Sequence, residues 1–346
     1  MSVTKYIFNG ALALFGCVTA VGMFKKHMLA KKSSSTHPAR VALPPPATSS
    51  PFTPLPDRDT EERKESGGGA LDDPTVALSE DPVERDRVVD LVWRLFTTGK
   101  EKFPVVETLS YKTRVPWLTG RPAWISDYAS RYRTSRHFIA RSLHEKRGDK
   151  RNYDMQNPEP GDRFNVFASD VDLQFHLVVD LSRCKMWFYY HDLGVDERVL
   201  LRIYSIGLGR FDPHSPSGLL TPKGSFLLGD RVAIYKPGIY GRVPGGEGEM
   251  VTVFGTRWLP FIERGEGKKA GVRGYGFHGI PWTYDEGHKT FREDTETIGK
   301  YESDGCIRLR REDIEELYAI VISRPTFVEV VSDYRDADLP GKEVER

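Results

Sequence analysis

The sequence predicts a mainly β domain, folded as a β-sandwich or partly open barrel with one helix after a Gly-Cys loop. A small β-α-α-β module and an N-terminal membrane segment precede it. Three observations carry this prediction. From Phe175 onward the chain runs through short β-rich segments, "FHLVVDL", "CKMWFYYH", "VLLRIYSIG" and "GSFLLGD", separated by Gly, Pro and Asp turns. Between Ser110 and Phe167, two helical patterns are bracketed by strand patterns. Tyr6 to Phe24 is uncharged, mostly apolar and about long enough to span a bilayer as a helix.

Residues 1–30 read as an uncleaved signal-anchor. Leu14-Phe15-Gly16-Cys17 looks like a lipid-acylation site, but the apolar run continuing to Phe24 argues against processing at Cys17. Lys25, Lys26, Lys31 and Lys32 follow the segment while only Lys5 and the terminal amine precede it. The charge rule by itself therefore keeps the bulk of the chain on the cytoplasmic side. Residues 31–82, with "LPPPATSSPFTPLPD" and "ESGGGALDDP", hold too few large apolar groups to repay the entropy of ordering and read as a tether.

A helical lead-in is expected over 83–108, with Val88, Leu91, Val92 and Leu95 on one face and Glu84, Arg85, Asp86 and Arg94 on the other. The module spans 109–168: a strand in "SYKTRV", helices around Ile125–Tyr132 and Arg136–Leu143, then a turn and strand in "NPEPGDRFNVF". Trp117 and Trp124 within it read either as sugar-stacking platforms or as core. The β-rich domain runs from 172 to 332. Near its end, Ile314, Leu317, Tyr318 and Val321 share a helical face behind the acidic Glu312 and Asp313, and "TFVEVV" supplies a closing strand. Residues 333–346 read as a polar tail, and "KPGIYGRVPGGEGEMVTVFG" as a long flexible loop.

Composition narrows the function. A formal net charge of +1 provides no drive toward nucleic acid. The three cysteines, Cys17, Cys184 and Cys306, lie far apart, which favours neither a disulfide framework nor a zinc ribbon. Cys184 alternates with Met186 and Phe188 and reads as core; His176 and His214 have no chemical company.

Cys306, in "YESDGCIRLR", is the candidate nucleophile. A cysteine attacks as thiolate and needs a base, an exposed position and donors for the oxyanion it creates. Gly305 permits the tight turn that aims the thiol outward and leaves backbone N–H groups of the loop for an oxyanion. Ser303 can hold that loop through a local hydrogen bond. His278, in "GYGFHGI", is the favoured base because flanking glycines clear room around its ring; His288, in the polar "DEGHKTF", competes with it. No pair among His278, His288 and Cys306 has the short spacing of a metal site, so neither metal nor cofactor is expected.

These residues carry a resemblance. Phe175 to Val331 resembles the catalytic domain of the L,D-transpeptidases, bacterial enzymes that cross-link peptidoglycan. The match rests on "VVDLSRCKMWFY", "TPKGSF", "GYGFHG" and "IGKYESDGCIRL", in that order. Residues 109–168 loosely resemble a LysM glycan-binding module in "ISDYASRYRTSRHFIARSL" and "PGDRFNVF". The resemblance implies Cys306 as acyl-accepting nucleophile, His278 as its base, the backbone at Gly305 and Cys306 as oxyanion hole, and Arg308 and Gly279 at the substrate. Two departures stand out. Asp304 occupies a place where histidine is common, and 24 residues lie between His278 and Ser303, more than the family's usual interval. An inserted loop, "PWTYDEGHKTFRED", accounts for the second.

The implied reaction forms a thioester with the diaminopimelate carbonyl of a tetrapeptide stem and passes it to the amine of a second stem. Alternatives are an L,D-carboxypeptidase or crosslink hydrolase using the same site, or a non-catalytic wall-binding protein. The implied partners are peptidoglycan stem peptides and glycan, with the membrane held through the N-terminal segment. The implied place is the bacterial envelope, inner-membrane anchored with the catalytic domain periplasmic, against the charge rule. The expected roles lie in cell-wall organisation and cell shape.

Overall fold

The computed structural model describes residues 89–147, 157–243, 246–263 and 274–346. The chain divides into two compact units, Met1–Pro74 and Thr75–Arg346, and all described residues belong to the second. The expected membrane segment and tether lie outside the described residues. Among the described residues, no helix is long and apolar enough to cross a membrane.

The chain first forms a short helix α1 (Trp93–Phe96) and strand β1 (Val106–Ser110), then helices α2 (Ile125–Arg131) and α3 (Arg136–Arg147), then β2 (Arg163–Phe167). A strand series follows: β3 (Leu173–Asp180), β4 (Lys185–Asp192), β5 (Glu197–Ser205), β6 (Leu208–Gly209), β7 (Gly224–Leu228), β8 (Ala233–Ile234), β9 (Tyr240–Val243) and β10 (Gly246–Glu249). After helix α4 (Val251–Phe254) come β11 (Arg257–Glu263), β12 (Gly276–Gly279), β13 (Trp282–Asp285), β14 (Thr290–Glu293), β15 (Tyr301–Ser303) and β16 (Ile307–Leu309). Helix α5 (Arg311–Val321), β17 (Thr326–Val331) and β18 (Lys342–Glu343) complete the fold.

Ten strands make one curled, half-barrel sheet in the order β16-β12-β11-β7-β17-β3-β4-β5-β18, with β8 also paired to β11. Alternation in β3 and β17 sends Phe175, Leu177, Val179, Val328 and Val330 into one core with Ile314, Leu317 and Ile320 of α5. Strand β4 is buried on both faces, because Met186 and Phe188 enter that core while Trp187 and Tyr189 meet a second cluster outside it. Each such side chain contributes roughly 1.5–3 kcal/mol by leaving water.

Several segments differ from the sequence expectation. Of the expected lead-in helix, only Trp93–Phe96 is helical among the described residues. Ahead of it the backbone runs extended along β5, with Leu91 N–H donating to the Leu201 carbonyl at 2.7 Å, so a sheet edge takes the hydrogen bonds a helix would have used. The first module strand lies at 106–110 rather than in "SYKTRV". The β-α-α-β order holds, and Phe138 and Phe167 of this segment enter the main core, while Ser135 Oγ donates to the Ala319 carbonyl of α5 at 2.5 Å. The tail after 332 is a packed strap: Tyr334 lies 4.4 Å from the Trp187 ring, and β18 pairs with β5. Its apolar residues, Tyr334, Ala337 and Leu339, are spaced too irregularly to show a period.

Candidate active site

Strand β12 organises the site. It pairs antiparallel with β11, setting Trp258 opposite His278, and parallel with β16, setting His278 opposite Arg308. Phe277, Ile307 and Leu309 are fully buried in the core. Side chains alternate along a strand, so His278 and Arg308 stand on the other face. Cys306, one residue before β16, extends that face toward Gly276. The glycine is required there: a Cβ at Gly276 would come within 2.3 Å of the Leu259 carbonyl oxygen.

The Cys306 loop is built as its composition suggested. Ser303 is 1% exposed; its Oγ accepts from the Gly305 N–H at 3.1 Å and donates to the Cys306 carbonyl at 2.6 Å. Gly305 has φ of +111°, and a side chain on it would meet the Tyr275 ring at 2.5 Å. Its N–H is thus given to Ser303, and its contribution is conformational. Asp304 points into solvent, where its carboxylate meets the Arg210 guanidinium at 2.7 Å.

The Cys306 thiol donates to the Gly274 carbonyl at 3.4 Å. Burial pushes the thiol up to about 11; the Gly276 N–H and the Arg308 charge pull it back, and Asp304 adds to the rise. His278 is 4% exposed, and its Nδ1–H donates to the Gly279 carbonyl at 2.6 Å. That bond fixes the tautomer and leaves Nε2 as the basic nitrogen. Phe254 of α4 meets the ring edge-on at 5.5 Å and Trp258 lies 6.2 Å away. Burial lowers the imidazole to about 4, with the Gly279 bond opposing and Arg308 reinforcing the shift. At neutral pH the resting pair is a neutral thiol and a neutral imidazole. The chemistry open to such a pair is general-base-assisted nucleophilic attack, in which the proton leaves sulfur as the new bond forms.

The structure thus brings Cys306, His278, Arg308, Ser303, Gly305, Asp304 and Gly279 into one region. His288 sits in the turn of the β13–β14 hairpin, two-thirds exposed, with Nδ1 held 2.9 Å from Asp285 and 2.8 Å from Arg292. The insert expected as a loop is this hairpin, and the glycine-rich segment 236–255 likewise forms paired strands β9 and β10 followed by α4. Sequence reasoning missed the Gly279 carbonyl as the group that orients His278, and also Phe254, Trp258 and Arg210. A backbone carbonyl leaves no side-chain signature, and the other three come from segments far from either motif.

Cys306, one residue before β16, and the ring-oriented His278 of the adjoining parallel strand β12 form a candidate cysteine–histidine nucleophile site in an open, mainly β sheet. Residues 174–330 match the YkuD family model, the L,D-transpeptidase catalytic domain, and this stretch is a domain of that family. No curated protein matches the chain. Among solved structures, Bd1075 of Bdellovibrio bacteriovorus is 16% identical, with 46% of this chain and 48% of that one covered and a TM-score of 0.31. The helical cell shape determining protein Pgp2 of Campylobacter jejuni is 18% identical over 49% of this chain and 51% of that one, also at a TM-score of 0.31. The chain spans about half the length of the solved structures it matches.

Proposed function

We propose that this chain is a peptidoglycan L,D-transpeptidase. The family of the 174–330 domain supports this reading, and one observation carries it: His278 is tied through Nδ1 to the Gly279 carbonyl on the strand beside Cys306, so its Nε2 is a preset proton acceptor.

Cys306 Sγ attacks the carbonyl of the diaminopimelate residue in a tetrapeptide stem, and His278 Nε2 takes the thiol proton as the S–C bond forms. The N–H of Cys306 stabilises the oxyanion, since that of Gly305 is already bonded to Ser303. Collapse breaks the peptide bond, His278 returns the proton to the departing D-alanine amine, and a thioester remains. The side-chain amine of a second stem attacks that thioester, gives its proton to His278, and releases the crosslinked peptide with the thiol restored. Arg308, opposite His278 on β16, supplies a positive charge beside the site for an acyl-donor carboxylate. The substrate places this domain on the outer side of a bacterial inner membrane, anchored by the N-terminal segment.

Intact-mass analysis tests the proposal, using the wild type beside Cys306→Ala and His278→Gln after incubation with a carbapenem or a tetrapeptide muropeptide. An adduct lost with Cys306, together with crosslinked dimer and released D-alanine, is the expected outcome. Tripeptide without dimer identifies a carboxypeptidase, and neither adduct nor turnover overturns the enzymatic reading.

A further inference from the structure

The charged or titratable groups about the Cys306 thiol are His278 on β12, Arg308 on β16 and Asp304 in the loop itself. Asp304 is the unfavourable one, since a carboxylate two residues from the sulfur opposes the thiolate that attack requires. Its partner is supplied by a different part of the chain. Strand β6 pairs in parallel with β15, and the residue after it, Arg210, donates its N–H to the Ser303 carbonyl at 3.0 Å while its own carbonyl accepts from Leu220 N–H at 2.9 Å. With its backbone pinned on both sides, Arg210 projects its guanidinium to within 2.7 Å of the Asp304 carboxylate.

We propose that Arg210 is a positioning residue for the nucleophile: by holding the Asp304 carboxylate in an outward ion pair it keeps that group from turning toward Cys306. The inference deepens the proposed function and rests on Cys306 as its nucleophile. Packing does not explain the pair, because the Arg210 and Asp304 side chains are 61% and 81% exposed. An exposed ion pair adds little to stability. Its effect on the neighbouring thiol is a different matter, because Cys306 is half-buried and the Asp304 charge opposes its ionisation. Arg210 acts on the thiol only through Asp304, so the role predicts dependence on both partners.

The test is the rate of Cys306 alkylation by iodoacetamide in the full chain, read site by site by mass spectrometry between pH 7.5 and 9.5 at low salt. Arg210→Ala is expected to slow alkylation roughly threefold and Asp304→Asn to accelerate it by a similar factor. Arg210→Ala in the Asp304→Asn background is expected to change nothing further, and Arg210→Lys to retain most of the wild-type rate. Molar salt should erase the differences, since it screens exposed charges over a few ångströms. Thermal midpoints should agree within a degree or two. An unchanged rate in Arg210→Ala, or an equal loss with and without Asp304, overturns the proposal. Carbapenem acylation of the wild type, run in parallel, separates the two readings. Acylation without an Arg210 effect leaves the transpeptidase standing and removes the positioning role, and an Arg210 effect without acylation does the reverse. A Cys306 inert to both reagents removes both.

Discussion

Under the proposed function, neutral His278 takes the proton of neutral Cys306 only as the substrate is attacked, and that has measurable consequences. With the thiol at about 11 and the imidazole at about 4, no protonation state between those limits yields a stable thiolate–imidazolium pair. Alkylation of Cys306 is therefore expected to climb about tenfold per pH unit from pH 6 to 9.5, because each unit multiplies the thiolate fraction by ten. A plateau below pH 8 would instead reveal a preformed ion pair. Replacing His278 by Gln is expected to slow carbapenem acylation by about 10²–10⁴-fold, the range of a lost general base, while the adduct mass stays the same. The same histidine sets an acid limit on stability. Its folded-state value lies below the unfolded 6.5, so its contribution is complete above pH 6.5 and is lost as pH falls toward 4. The loss amounts to roughly 3 kcal/mol. Denaturant titrations at pH 7 and pH 4 should show this difference shrinking in His278→Gln.

At the scale of elements, the two inserts define the surroundings of the histidine. Helix α4, at the end of the glycine-rich insert, places Phe254 against the His278 ring, so Phe254→Ala should loosen that ring and lower acylation without removing any reacting group. The β13–β14 hairpin ends at Glu293, whose carboxylate accepts from the Arg311 N–H at 2.7 Å and so satisfies the first turn of α5. Burial raises this carboxyl to about 7, with the Arg311 N–H and charge opposing and Glu315 and Asp313 adding to the rise. The sign follows directly: a carboxyl raised from its ordinary 4.5 favours the fold when protonated, so stability declines as pH rises from about 4.5 through 7. Glu293→Gln keeps a hydrogen-bonding oxygen and removes the charge. Its thermal midpoint is expected to exceed the wild type by a few degrees at pH 8 and to match it near pH 5.

Across the whole molecule, the C-terminal strap closes the outer face of β4. Tyr334 packs on Trp187 and shares a 2.5 Å hydrogen bond with the Tyr189 hydroxyl. Tyr334→Ala is expected to cost about 3 kcal/mol in a denaturant titration, as for other buried aromatics cut to alanine. Tyr334 meets β3 and β4, through Asp180, Trp187 and Tyr189, rather than the β12 and β16 pair that carries His278 and Arg308, so the alkylation rate of the folded variant should equal the wild type's.

Strands β3 and β17 were legible in the sequence, because the apolar patterns of "FHLVVDL" and "TFVEVV" are local properties, whereas β9, β10, β13 and β14 were not. The sequence also marked Gly305 and Ser303 as builders of the Cys306 loop, since positive φ and a two-residue hydrogen bond are local requirements. Tertiary structure decided what meets what. His278 rather than His288 adjoins Cys306 because β12 pairs with β16 across the inserted hairpin, a long-range choice that spacing in sequence cannot encode. The Gly279 carbonyl acquires its role only when the His278 ring turns toward it, and Arg210 reaches Asp304 only through the pairing of β6 with β15. The extended run at Leu91 and the ordered strap show the same cause. Hydrophobic periodicity reports which face of a segment is buried, whereas its conformation and partners are settled by the sheet edge or aromatic surface left open to receive it.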